Sequence, residues 1–214
     1  MPGAALALAV VSIAPHAMAQ TVVTAIGATE ATGEMHHYFA GEKREGIFFF
    51  SAGILSAAGG VALLLEGGDR WRAAAGPVLA IGLIQLVAGA IVYTRTDAQV
   101  AALDAQLSHD PASFDRLERA RMERVNAQFR WLEVIESTLA LGGAASAFVG
   151  AATHTDLAVG LGAGFAIEGT AMLVLDYLAH QRGRLYQRSL ERFAPTIGVS
   201  MSDRITVLAL TLRY

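Results

Sequence analysis

Three runs in this chain carry no charge at all: Ile47–Leu65, Ala73–Thr94 and Ser137–Thr153. A fourth, from Leu157 to His180, is similarly apolar but holds Glu168 near its middle and Asp176 two helical turns later. A helix needs about 20 mostly apolar residues to cross the hydrocarbon core of a bilayer. All four runs are within or near that range. The connections inside each pair are short, "EGGDRWR" and "THTD", and short connections make neighbouring helices antiparallel. The expected fold is therefore an all-α membrane protein built from two transmembrane helical hairpins, four spans in total.

Composition supports this. Charged residues make up 16% of the chain, against about 25% in an ordinary soluble domain. The net charge of -3 gives no reason to expect nucleic acid, and there is no zinc finger, phosphate loop or basic stripe with stacking aromatics. Cysteine is absent, which excludes disulfides, thiolate metal sites and cysteine nucleophiles.

Polar helices are expected between and after the hairpins. In "TDAQVAALDAQL", Thr96 and Gln99 stand at capping-box spacing, and Val100, Leu103 and Leu107 share one face. Asp110 then suits an N-cap and Pro111 a first helical position. The helix they open is amphipathic and continues into the third span. Its apolar side holds Phe114, Leu117, Val125, Phe129 and Leu132. Its other side alternates Arg116, Arg119, Arg121 and Arg124 with Asp115, Glu118 and Glu123. A purely basic face would suit anionic lipid; the alternation of sign favours a solvated face with local ion pairs.

Sliding the chain on itself by 83 residues places Gly59-Gly60 on Gly142-Gly143, Gln85 on Glu168 and Phe48 on Trp131. This reads as a tandem duplication of a hairpin with its trailing helix, the halves related by an axis along the membrane normal. The expected units are residues 20–110 and 111–194. The tail, 195–214, ends in alternating apolar and polar residues, which predicts a short C-terminal β hairpin. Its last seven residues or so resemble the terminal signal of outer-membrane barrel proteins, but no further barrel strands accompany them.

At the other end, residues 1–19 read as a secretory signal peptide. "ALALAVVSIA" precedes Ala17 and Ala19 at small-residue cleavage positions, although no basic residue leads it. Fourteen of the sixteen Lys and Arg residues fall in the amino-terminal arm, the middle region and the tail. The positive-inside rule would then place both termini in the cytoplasm, whereas a cleaved signal would place the new amino terminus outside. Either way, both termini share one face of a bacterial envelope membrane, the inner more readily than the outer.

The candidate site begins with Glu168 and Gln85, near the centres of their spans. Ionisable residues inside a membrane are rare and face protein or water. They serve either as a proton or cation site or as an interhelical hydrogen bond worth on the order of 1 kcal/mol; with a single midplane carboxylate, the second is favoured. Asp176 and His180 continue the Glu168 face and are expected as a polar pair at the membrane interface. Gly142, Gly143, Gly160 and Gly164 are expected to pack helices closely. Glu34 and His37 have the spacing of a metal pair but no second pair to complete it, and no serine stands in a nucleophile elbow. No catalytic residue, metal or cofactor is expected. The expected partners are the bilayer and either further copies of the chain or another membrane protein. The function expected is non-enzymatic, structural or in assembly, with proton- or cation-coupled transport centred on Glu168 as the alternative.

Overall fold

The computed structural model describes residues 26–195. All of the expected leader, and all of the expected β tail but Pro195, therefore lie outside the described residues. Four helices follow one another: α1 (Ala28–Glu66), α2 (Asp69–His109), α3 (Pro111–Ala152) and α4 (Asp156–Arg192). Each is long and apolar enough to cross a membrane. Gly67 and Gly68 alone separate α1 from α2. Asp110 alone separates α2 from α3; its side chain accepts a hydrogen bond from the Ser113 amide, with Pro111 opening the helix, as the N-cap chemistry requires. His154, at φ 54°, turns the chain between α3 and α4.

No helix begins at Thr96. Its hydroxyl donates to the Val92 carbonyl inside an unbroken α2. The residues before Thr96 already supply helical hydrogen bonds, so its cap-like spacing meets no free amides.

The helices are 37 to 42 residues long. At 1.5 Å per residue they extend about 60 Å, roughly twice the hydrocarbon thickness of a bilayer. The bundle accordingly has two halves with opposite patterning. Around the uncharged runs, large apolar side chains such as Phe48, Leu55, Leu65, Leu141 and Phe148 point outward, and glycines face inward. Toward the termini the order is reversed. There Met35, Phe39, Phe114, Met122, Tyr186 and Leu190 form a closed core, with most of the charges outside. Ile26 and Phe193 close that end through a parallel bridge, and the Phe114 and Phe193 rings meet edge to face at 6.0 Å.

Two kinds of seam hold the apolar half together. Gly46, Gly53 and Gly60 recur every seventh residue on α1, as do Gly82 and Gly89 on α2. A Cβ on Gly46 would meet the Gly89 carbonyl at 3.0 Å, and one on Gly53 the Gly82 carbonyl at 2.6 Å. These pairings run antiparallel. A seven-residue period keeps one stripe facing its partner along a left-handed crossing. On the α3–α4 pair the stripe is Gly143 and Gly150 against Gly162 and Gly169; a Cβ on Gly143 would meet the Gly162 carbonyl at 2.7 Å. The second seam joins α2 to α4, which run parallel. Gly164 lies against the Ala74 carbonyl and Pro77, and Gly160 against Arg70 and Ala73. Gly142 is not a packing position: nothing lies within 4 Å of where its Cβ would be, because the seven-residue stripe passes through its neighbour.

At the far end an exposed ion pair, Arg70 to Asp156 at 2.7 Å, links the two turns. Exposed pairs contribute little because water screens them. Arg70→Ala is expected to change stability by less than about 0.5 kcal/mol in a denaturant titration in detergent.

Candidate functional site

The buried polar groups form a stack that follows α4 from the middle of the apolar half into the polar half. Gln85 and Glu168 are almost fully buried, and Gln85 Nε2 donates to Glu168 Oε2 at 3.3 Å. They meet because the α2–α4 seam that carries Gly160 and Gly164 reaches Glu168 one turn later. Gln85 Oε1 has no hydrogen-bond partner.

Two turns along α4, Asp176 is buried, and it turns toward α3 rather than toward His180. Its carboxyl is within hydrogen-bonding reach of Glu136, which is 1% exposed. Neither Glu136 oxygen receives a hydrogen bond from a donor group. Register explains the meeting. Asp176 stands at the next seven-residue step after Gly162 and Gly169, and Glu136 at the step before Gly143 and Gly150. Two carboxyl groups occupy the seam that glycine occupies elsewhere. Two carboxyl groups in contact repel when both are charged, and neither Glu136 nor Asp176 has a basic partner among the ion pairs of the described residues.

His180 is also buried. Its Nδ1 lies 2.7 Å from Glu133 Oε1 and its ring stacks on Phe129 at 5.6 Å, while Nε2 is unpartnered. Asp176 and His180 are thus not a water-facing pair with each other. Each reaches across to α3, because four helices enclose this level of the bundle.

Beyond His180 come opposite charges in the polar half. Arg182 pairs with Glu45, Arg95 with Glu42 at 3.1 Å, and Arg121 with Glu118 at 2.6 Å. Glu118 and Arg121 leave the solvated face expected of them. Glu118 is 1% exposed and the Arg121 guanidinium lies 5.2 Å from the centre of the Phe39 ring. Leu117, expected inside, is outside. Burial pushes the Glu45 carboxyl above its ordinary range despite Arg182, and it raises the Tyr38 hydroxyl strongly. Burial opposes the Arg121 charge, but Glu118 outweighs it and holds the guanidinium firmly protonated.

The histidines near the amino terminus have a simpler place. His36 pairs with Asp104 at 2.9 Å, and Lys43 with Asp97 at 2.6 Å, both between α1 and α2. Among the described residues, no group of three or more His, Asp or Glu is placed to hold a metal ion.

Glu136, Glu133, Glu42 and Glu45 are the site residues that sequence reading missed. A signal for Glu136 existed: it falls in register with Gly143 and Gly150, as Asp176 does with Gly162 and Gly169. Comparison with family models, curated proteins and solved structures found no match to this chain.

Proposed function

We propose that this chain is a non-enzymatic integral membrane protein of the bacterial envelope with a structural or assembly role. In this reading α1–α2 and α3–α4 are two transmembrane hairpins, tandem copies of one unit, with both termini and the polar half on one side. The observation that carries it is the Gln85–Glu168 contact. The two residues are 83 apart, the interval at which the chain resembles itself. A residue that touches its own repeat equivalent lies on the pseudo-twofold axis, as self-contacts do in a twofold dimer. The polar tie thus joins the halves where a duplicated bundle would be fastened. The seven-residue glycine stripes add to this, since they serve close packing. The outward apolar band of the spans suits lipid, further copies of the chain or a membrane-protein partner.

A second reading, proton-coupled transport, is favoured by the Glu136–Asp176 pair with His180 and Glu133 beside it. Against it, the buried polar groups among the described residues stop at Gln85 and Glu168, with none between there and the far turns. A proton can be held midway, but no onward carrier follows.

Substitution of Glu168 separates the two. Glu168→Gln is expected to lower stability by less than about 1 kcal/mol, because the amide still bonds Gln85. Glu168→Leu is expected to cost about 1–3 kcal/mol by stranding the Gln85 amide. Both are read by denaturant titration in detergent, alongside proton flux in liposomes. If Glu168→Gln leaves the fold intact and abolishes a flux that the parent supports, the structural reading fails.

A further inference from the structure

Where the two helix pairs part, at the level at which the uncharged runs give way to the charged half, all four helices line a cleft of about 330 Å³. That is near the lower limit for a small-molecule site. Along α1 its lining passes from Glu42 and Glu45 to Phe49 inside an uncharged run, along α2 from Arg95 to Ala88 and Ile84, and along α4 from Arg182 to Met172. The charged lining lies toward the polar half and the apolar lining toward the uncharged runs, the polarity of an amphiphile in a membrane.

The charge that remains unmatched at the polar end identifies the head group. All three arginines are committed: Arg95 to Glu42, Arg182 to Glu45, and Arg121 to Glu118, which stands behind the cleft. An anionic head would have to compete with these carboxylates for the guanidinium groups. Arg182 Nε is buried without a hydrogen-bond partner, but Glu42, Glu45, Asp176 and Glu118 outnumber the three arginines, so the charge left over is negative. Glu42 is 9% exposed, and its Oε2 has no hydrogen-bond partner. The Asp176 carboxyl opens on the same cleft, and its neighbour is the Glu136 carboxyl rather than an arginine. Tyr38 and Phe129 also line the cleft, their rings stacked on Tyr186 and His180. A group with several N–H donors and a positive charge satisfies all of this.

We propose that the cleft binds an ammonium-headed amphiphile, its N–H groups donating to Glu42 Oε2 and the Asp176 carboxyl and its alkyl chain lying along Ile84, Ala88 and Met172. The same chemistry is available from a membrane lipid with a primary ammonium head or from a free alkylammonium. The inference rests on the four helices standing in a bilayer. It does not rest on a structural or a transporting role, so the Glu168 substitutions leave it untouched.

Native mass spectrometry tests it. The full chain in neutral detergent is incubated with equal amounts of phosphatidylethanolamine, phosphatidylcholine, phosphatidylglycerol and dodecylammonium, and the bound adducts are counted. Phosphatidylcholine carries a quaternary head without N–H donors, and phosphatidylglycerol is anionic. An ammonium-headed adduct is expected at about tenfold the occupancy of either, equivalent to about 1.4 kcal/mol. Phosphatidylethanolamine as that adduct identifies a lipid source, and dodecylammonium alone a free amphiphile. Glu42→Gln should remove the preference, and Ala88→Phe, at a position whose side chain is exposed, should fill the cleft and remove the adduct. Both variants should elute and melt as the parent does; Glu42→Ala and Ala88→Leu replace either one that does not. Equal binding of all four amphiphiles, preference for phosphatidylglycerol, no adduct at all, or a preference unchanged in folded variants overturns the proposal.

Discussion

Gly143→Leu is expected to unpack α3 from α4, while Gly142→Leu, one residue away, is expected to leave that packing intact. A Cβ on Gly143 would meet the Gly162 carbonyl at 2.7 Å and the Phe165 carbonyl carbon at 3.0 Å. These are backbone atoms of a helix and cannot turn aside as a side chain can. The helices must separate, which also loses the neighbouring contacts at Ala147 and Gly150. Overpacking a close seam costs about 1–3 kcal/mol, and a backbone clash puts this case at the upper end or beyond. Gly142 has nothing within 4 Å of its Cβ position. Leucine there points outward and gains up to about 1 kcal/mol of helix propensity over glycine. Unfolding in graded denaturant in detergent reads both. Equal effects at the two positions would show that glycine acts here through backbone freedom and not through close approach.

Arg121→Ala is expected to be the most damaging change in the polar half, at about 3–5 kcal/mol, the cost of removing one partner of a buried ion pair. Glu118 is 1% exposed and receives both Arg121 Nε at 2.7 Å and Nη2 at 2.6 Å. Without the guanidinium that carboxylate is buried and uncompensated. The change also removes the cation from the faces of Phe39 and Tyr38. Removing both charges should undo most of the loss. Glu118→Leu with Arg121→Met is expected to return to within about 1–2 kcal/mol of the parent, since well-packed apolar residues replace buried pairs at little cost. A double variant as unstable as Arg121→Ala would mean that packing of the arginine stem against Phe39 and Tyr38, not its charge, carries the contribution.

The residues differ in how far their sequence context reveals their place. Ile47–Leu65 and Ala73–Thr94 could be read as helices because twenty uncharged residues leave few alternatives, and Asp110-Pro111 marked a helix start through purely local chemistry. Glu168 and Gln85 stood out because a polar residue in such a run is rare. Glu136 did not, since it lies just before an uncharged run and looks like the last acid of a solvated helix. Glu118 and Arg121 looked like members of an alternating charged face for the same reason. Alternation reports composition along a helix, while burial depends on which neighbour covers which side. The GxxxG spacing of Gly160 and Gly164 was visible, but the seven-residue stripes needed the partner helix to show which glycines are covered. Gly142 and Gly143 have the same side chain and adjacent positions; only the direction of the partner helix tells them apart.

What the sequence determined by itself, among the described residues, is the helical character of the chain and the division of each helix into an apolar and a polar half. Those follow from helix rise, backbone hydrogen bonding and the distribution of charge along one chain. Tertiary structure decided which carboxyls share a seam, which arginines are committed and where a cleft remains. Contacts such as Glu136 with Asp176 and Glu45 with Arg182, far apart in the chain, depend on helix rotation and crossing, and those are settled only when α3 packs on α4 and both pack on α2.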